Sequence, residues 1–422
     1  MGTGYFKPIS ISLSPNTEKD DNLLVLKTIF SFGKWKKGKA VKDLESEFCN
    51  YFNIKYAISF NSGRSSLFAI LKSLNLEEND EILLQAFTCN AVVNPILWAG
   101  LKPIYVDCNE DDFNINTNEI EKKITKKTKA LIIQHTFGIP ADISKILEIC
   151  KKNHLILIED CAHSLGAEYK EEKVGTFGDV SFFSFSRDKI ISSIYGGMVI
   201  TNNKNLARKI KKFQEEINYP SCFWIFQQLL HPLILNYIIL PVYNFLDLGK
   251  ILLVFLQISH ILSKAIHKKE KKGKKPDYFP KKMPNALSIL ALHQFKKLEK
   301  FNNHRKEIAD FYYRNINDKF EKPKIFPERK SVFLRYTLKH KEAYNIIWQA
   351  WHKENILLGD WYTSVIAPYD TDISKMKYVL GSCPVAENLS KITFNLPTHI
   401  NISLKEAQRI VDFLNNFKNK KA

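Results

Sequence analysis

The chain has 422 residues, 45% hydrophobic and 25% charged, which is enough for more than one domain around a large core and too apolar for a disordered chain. Lysine and arginine outnumber aspartate and glutamate by 62 to 44, a net charge of +18 that favours anionic partners such as phosphorylated metabolites or acidic lipid. The charge is dispersed and no nucleic-acid-binding motif accompanies it, so nucleic acid is not expected as a partner. Seven cysteines (Cys49, Cys89, Cys108, Cys150, Cys161, Cys222 and Cys383) are scattered and never spaced as CxxC. That pattern excludes a disulfide framework or zinc site and fits a reducing cytoplasm.

In chain order, the opening "MGTGYFKPIS" has no apolar core of the secretory type, and Phe6 stands where a myristoylation signal needs serine or threonine. From about 40 to 200, short apolar runs alternate with amphipathic stretches. "KYAISF", "EILLQAF", "KPIYVD", "KALIIQH" and "HLILIED" read as buried strands, with "SSLFAILKSLN" and "SKILEICKKN" as helices between them. Alternation of this kind predicts an α/β fold with a mostly parallel sheet covered on both faces. Ligands on such sheets sit at the carboxyl ends of the strands, so the polar residues just past each run are the ones to weigh.

Three such places stand out. "NSGRSSLFAIL" follows the first strand: Gly63 lets the backbone turn, and the amides near Arg64, Ser65 and Ser66 open a helix toward an anion. A serine-capped strand–turn–helix is common, so alone this is a weak signal. "LILIED" ends in Glu159-Asp160, with His163 three residues on; a carboxylate at the end of a buried strand needs a partner, or else caps a helix. In "VSFFSFSRDK", Ser184 and Ser186 share one strand face, and Lys189 lies beyond it where the chain turns. A phosphate cup, a buried carboxylate and an accessible lysine together match pyridoxal 5′-phosphate, which needs donors for its phosphate, an acid for its ring nitrogen and an amine for its aldehyde.

Past residue 220 the texture changes. "CFWIFQQLLHPLILNYIILPVYNFL", 222–246, carries no Asp, Glu, Lys or Arg; "ILLVFLQISHIL" and the basic run "HKKEKKGKKP" follow. Pro232, Pro241 and several amide side chains argue against a clean membrane span. Short helices lying in a membrane interface, with the basic run on anionic headgroups, are one reading; a flap packed on the domain or across a dimer is the other. Beyond Pro284, "NALSILALHQFKKLEKFNNHRKEIADFYYRNI" reads as a long helix leading to a smaller α+β unit. The expected organisation is a cofactor-binding domain at 1–220, a hydrophobic helical insertion with a basic tail at 221–280, and an interdomain helix with a small domain at 281–422.

In order and spacing, "KKGKAVKDLESEF", "KPIYVDCNEDDFNIN", "HTFGIPADI", "IEDCAHSLGAEYKEEKVGTFGDVSFFSFSRDK" and "CPVAENLSKITFNLPTHINIS" resemble the DegT/DnrJ/EryC1/StrS family of PLP-dependent aminotransferases. The resemblance spans the chain outside about 221–275. It implies the fold-type-I aminotransferase architecture and amino transfer from glutamate or glutamine to a nucleotide-linked keto-sugar for surface-glycan biosynthesis. By the same resemblance Lys189 is the catalytic amine, Asp160 pairs with the ring nitrogen, and His163 lies near the ring hydroxyl. Ser184 holds the phosphate with the backbone at Gly63, Arg64 and Ser65. Cys89 stands where the family commonly stacks an aromatic on the ring, with Phe87 as the other candidate for that role. Tyr195 replaces the glutamate of a Gly-Glu-Gly-Gly turn, and Phe279-Pro280 and Lys282 replace residues that often reach a neighbouring subunit. A homodimer with its site at the interface is implied, while the scattered cysteines point to the cytoplasm and the charge-free run beside the lysine cluster to peripheral contact with the inner face of the membrane. A non-catalytic scaffold on the same fold and a PLP-dependent sugar dehydratase are the alternatives; dehydratase relatives carry histidine where this chain has Lys189.

Overall fold

The computed structural model describes residues 7–13 and 16–418. Its centre is a seven-stranded sheet of β1 (Tyr56–Phe60), β2 (Glu81–Gln85), β3 (Lys102–Val106), β4 (Thr128–Gln134), β5 (Ile156–Asp160), β6 (Val180–Ser184) and β7 (Gly197–Thr201). Their spatial order is β1-β7-β6-β5-β4-β2-β3. Only β7 runs antiparallel to its neighbours β1 and β6; every other pairing is parallel. The mostly parallel α/β sheet read from the sequence is therefore present. Its strands are apolar throughout because both faces are covered: one core holds Phe48, Leu131, Phe183 and Phe185, and another holds Ile82, Ile132, Ile158 and Phe182.

A smaller unit gathers around the antiparallel pair β8 (Arg335–Lys339) and β9 (Thr393–Pro397), with a core of Ile308, Tyr312, Leu338, Ile346, Phe394 and Leu414. Near the chain start, Ile9 and Ser10 pair in parallel with Ile356 and Leu357. Buried Ile9 thus belongs to the same core as the C-terminal elements, and the first segment crosses the boundary drawn at residue 220.

The three strand ends singled out in the sequence lie side by side. Helix α1 (Gly63–Ser73) starts two residues after β1, capped by Ser62, whose side chain accepts from the Ser65 amide. β5 delivers Asp160, and β6 delivers Ser184 and the loop that carries Lys189 back to β7.

The insertion folds as helix α2 (Cys222–Ile234), a π-turn over Leu235–Ile239, a 3₁₀ turn over Leu240–Val242 and helix α3 (Leu248–Ile258). Pro232 lies in α2, two residues from its end, and Pro241 opens the 3₁₀ turn, so the helical run Cys222–Val242 passes from α to π to 3₁₀ geometry without a gap. By length and composition Cys222–Val242 could cross a membrane, yet half of its most apolar window is buried in the protein. Trp224, Ile225 and Leu229 join the main core, and Asn236 donates to Thr17 at 3.0 Å. The packed-flap reading therefore describes α2. Helix α3 differs: Ile251, Val254, Phe255 and Ile258, spaced i, i+3, i+4, i+7, all face outward, each more than half exposed.

Candidate active site

A cavity of about 440 Å³ opens at the carboxyl ends of β1, β5 and β6. Lys189, Asp160, His163, Ser184, Gly63, Arg64 and Cys89 all line it. Ser65 does not: its amide is taken by Ser62 Oγ, and its hydroxyl donates to Asn61 Oδ1 at 2.7 Å, so Ser65 holds the turn rather than facing the cavity. Ser62 occupies the lining position instead.

Strand alternation sorts the two carboxylates at the end of β5. Glu159 points into the core, where it takes His135 Nε2 at 3.2 Å and the amides of Gly175, Phe177 and Gly178 at 2.7–2.8 Å. These bonds hold it ionised and structural. Asp160 points into the cavity and accepts the Ala162 amide at 3.0 Å, but it has no ion-pair partner among the described residues. Burial pushes its pKa up to about 6, only partly offset by the Ala162 amide, Lys189, His135 and a hydrogen bond from Gln134.

The same alternation in β6 puts Phe183 in the core, while Ser184 and, past the strand end, Ser186 reach the cavity, their hydroxyls 3.5 Å apart. Lys189 is 9% exposed, and burial lowers its pKa, with Asp188, Cys89 and Asp160 opposing that shift; more of the amine is neutral and nucleophilic as a result. Its Nζ lies 4.7 Å from the Trp361 ring centroid. His163 stacks between Phe137 and Trp361, with centroids 6.2 and 5.6 Å away. Its Nδ1 accepts the Phe137 amide at 3.3 Å, which leaves the ring proton on Nε2. Desolvation holds the imidazole well below its ordinary pKa, so it is a neutral donor.

Several site residues escaped the sequence reading. Trp361 and Tyr362 come from the small unit. Arg335 at the start of β8 donates to Asp188 at 3.0 Å and lies 3.6 Å over the Trp361 ring, which orients the Lys189 loop. Gln134 lines the cavity from the end of β4, and His231, Leu235, Leu253 and Gln257 line it from the insertion. Gln134 could have been found, since it ends an apolar run as Asp160 does. The others carry no local signal. Phe87, the second candidate for ring stacking, is fully buried against Phe113, Phe137 and Tyr362 and does not reach the cavity.

Comparison with known proteins places this geometry. Residues 16–217 and 259–415 match the model of the DegT/DnrJ/EryC1/StrS aminotransferase family. The chain belongs to that family. GDP-perosamine synthase of Escherichia coli O157:H7 is 29% identical over 391 residues, 90% of this chain and 91% of that protein. The fold matches Helicobacter pylori PseC, described as an aminotransferase involved in the biosynthesis of pseudoaminic acid, with a TM-score of 0.74 at 24% identity over 97% of this chain and 98% of that one. It also matches the PLP form of the sugar aminotransferase homologue Spr1654 from Streptococcus pneumoniae, with a TM-score of 0.76 at 20% identity over 97% and 98%. The unmatched stretch, 218–258, holds α2 and α3, so this wall of the cavity lies outside the family model.

As a member of an aminotransferase family the chain is a PLP-dependent transaminase, and its residues fit that cofactor. Asp160 is a buried carboxylate without a cation partner, which suits a protonated ring nitrogen. At Gly63 a Cβ would lie 3.0 Å from Ser184 Cβ and 3.3 Å from its Oγ, so only glycine leaves the helix N-terminus and Ser184 space for a shared phosphate. Tyr195, in place of the family's turn glutamate, donates from its hydroxyl to the Lys264 carbonyl at 2.8 Å. It therefore faces the segment just past the unmatched stretch. Phe279 is buried 4.8 Å from the Arg64 guanidinium, and Lys282 donates to the Glu215 carbonyl, both within the chain.

Proposed function

We propose that this aminotransferase moves an amino group from glutamate or glutamine to a keto-sugar carried on a nucleotide, with Lys189 as the catalytic amine. The observation that carries the reading is the convergence of Lys189, Asp160 and the Ser184–Gly63 seat on one cavity. The sugar follows from the relatives, whose names speak of perosamine and pseudoaminic acid synthesis.

Pyridoxal phosphate, when bound, supplies the electrophilic carbon and the electron sink; the chain's residues do the rest. Ser184 and the first amides of α1, which have no intrahelical acceptor, bind the phosphate. Asp160 keeps a proton on the ring nitrogen, because its carboxylate lacks any other cation. His163 donates from Nε2 toward the ring hydroxyl. Lys189, whose pKa burial lowers, would move a proton to and from the substrate carbon, with Trp361 beside its amine and Arg335 holding its loop through Asp188. Incubation of the PLP-loaded enzyme with glutamate or glutamine and a panel of nucleotide keto-sugars, read by mass spectrometry, tests this. The aminated nucleotide sugar is expected, and loaded enzyme that aminates none of them with either donor sinks the reading.

A peripheral contact with an anionic membrane surface is the second part of the proposal. The outward apolar stripe of α3, together with Leu246 at 84% exposure and the lysine-rich run that follows, supports it. A homodimer completes the proposal, by family likeness.

A further inference from the structure

Two polar side chains in the cavity wall have no assigned work. Arg187, 9% exposed, sits between Ser186 and the Asp188–Arg335 pair. Its Nη2 donates to Ser263 Oγ at 2.6 Å, its Cζ lies 5.6 Å from the Tyr195 ring, and its Nε has no partner. Among the described residues no carboxylate comes within ion-pair distance of it, whereas the neighbouring guanidiniums are paired, Arg64 with Glu270 and Arg335 with Asp188. His231, from α2, is 4% exposed and lines the same cavity, and its buried Nδ1 has no hydrogen-bond partner among the described residues. Arg187 is close enough for its charge to bear on His231.

A buried guanidinium without a counter-charge is costly to keep, and this one is held in place by Ser263, which Gln228 of α2 fixes in turn at 2.8 Å. Of the two guanidiniums in this wall, Arg64 is paired with Glu270 and Arg187 is not. An unpaired guanidinium with a further polar group on a second element suits an oxyanion whose oxygens diverge, as those of a phosphodiester do.

We propose that Arg187 and His231 form a subsite for a phosphoryl group of the amino acceptor, on the cavity wall that α2 supplies. His231 lies in the stretch outside the family model, so the subsite is this chain's own. The identity of the ligand rests on the function proposed above, but the anion site does not.

The test is calorimetric titration of the PLP-loaded enzyme with inorganic pyrophosphate, for wild type, Arg187→Gln, Arg187→Lys and His231→Phe. Loss of one charge-assisted donor is expected to weaken pyrophosphate roughly tenfold or more in Arg187→Gln, with partial recovery in Arg187→Lys and a smaller loss in His231→Phe. PLP affinity should stay within about twofold of wild type in all three, since no anion contact to the cofactor is being removed. Arg187→Gln should melt no lower than wild type, because it removes a charge that lacks a partner; should it fail to fold, His231→Phe decides alone. Wild type that does not bind pyrophosphate, or Arg187→Gln and His231→Phe that bind it as wild type does, overturns the proposal. So does a variant that loses affinity for PLP but not for phosphate-free pyridoxal, which would give the guanidinium to the cofactor's own phosphate. Pyrophosphate binding needs no amino transfer, so an enzyme that aminates no sugar yet shows this pattern refutes the function and leaves the subsite standing.

Discussion

Replacing Asp160 with asparagine should move two measurements in opposite directions. The carboxylate is 4% exposed, its one backbone donor is Ala162, and burial raises its pKa from the ordinary 3.8 to about 6. An acid whose folded pKa lies above its unfolded one destabilises the fold when ionised. The penalty is absent below pH 4, builds as pH rises through 6, and levels off near two pKa units, about 3 kcal/mol. Asparagine has the same shape and no charge. The cofactor-free variant should therefore unfold roughly 3–6 °C above wild type near neutral pH, the gain shrinking several-fold by about pH 4. With cofactor the sign reverses: losing the buried partner of a protonated ring nitrogen costs about 3–5 kcal/mol, or roughly two to three and a half orders of magnitude in PLP affinity. Calorimetry with and without PLP and equilibrium dialysis read both effects. A variant that binds PLP as tightly as wild type, or whose apoprotein melts lower, would refute the assignment of Asp160 to the ring.

Other expectations are as direct. Lys189→Ala should end covalent fixation of the cofactor to the chain by borohydride and abolish all amino transfer, while circular dichroism stays native. Gly197→Ala places a Cβ 2.5 Å from the Ser62 carbonyl and 2.6 Å from the Gly63 amide, so it should push the α1 N-terminus away and lower both thermal stability, by about 2 kcal/mol or more, and PLP affinity. Ile251→Ser with Phe255→Ser changes only outward-facing side chains; it should leave amino transfer unchanged and abolish flotation with anionic liposomes. Wild type that floats no better than this double variant removes the membrane contact.

Much of the candidate site could be read from the chain because parallel strands buried on both faces announce themselves as apolar runs. Lys189, Asp160, Ser184 and Gly63 each stand at the end of such a run, and sheet topology brings strand ends together. The alternation even assigned Ser184 and Ser186 to one face and Phe183 and Phe185 to the other, with Phe182 lining the cavity beside the serines. Sequence could not settle what depends on where distant segments land. Glu159 and Asp160 look alike as letters; only the packing of Gly175–Gly178 against β5 makes one structural and leaves the other facing the cavity. Arg335 and Trp361 reach the Lys189 loop from about 150 residues away, since the small unit folds back over the strand ends. Phe87, itself a candidate for ring stacking, turned inward to fill the core. The insertion illustrates the division best: its composition showed a charge-free hydrophobic segment, but one apolar pattern serves a core, a membrane or a binding wall equally well. Tertiary packing made α2 a cavity wall bearing His231 and left the stripe of α3 facing out, because burial is decided by which surfaces meet and not by hydrophobicity alone.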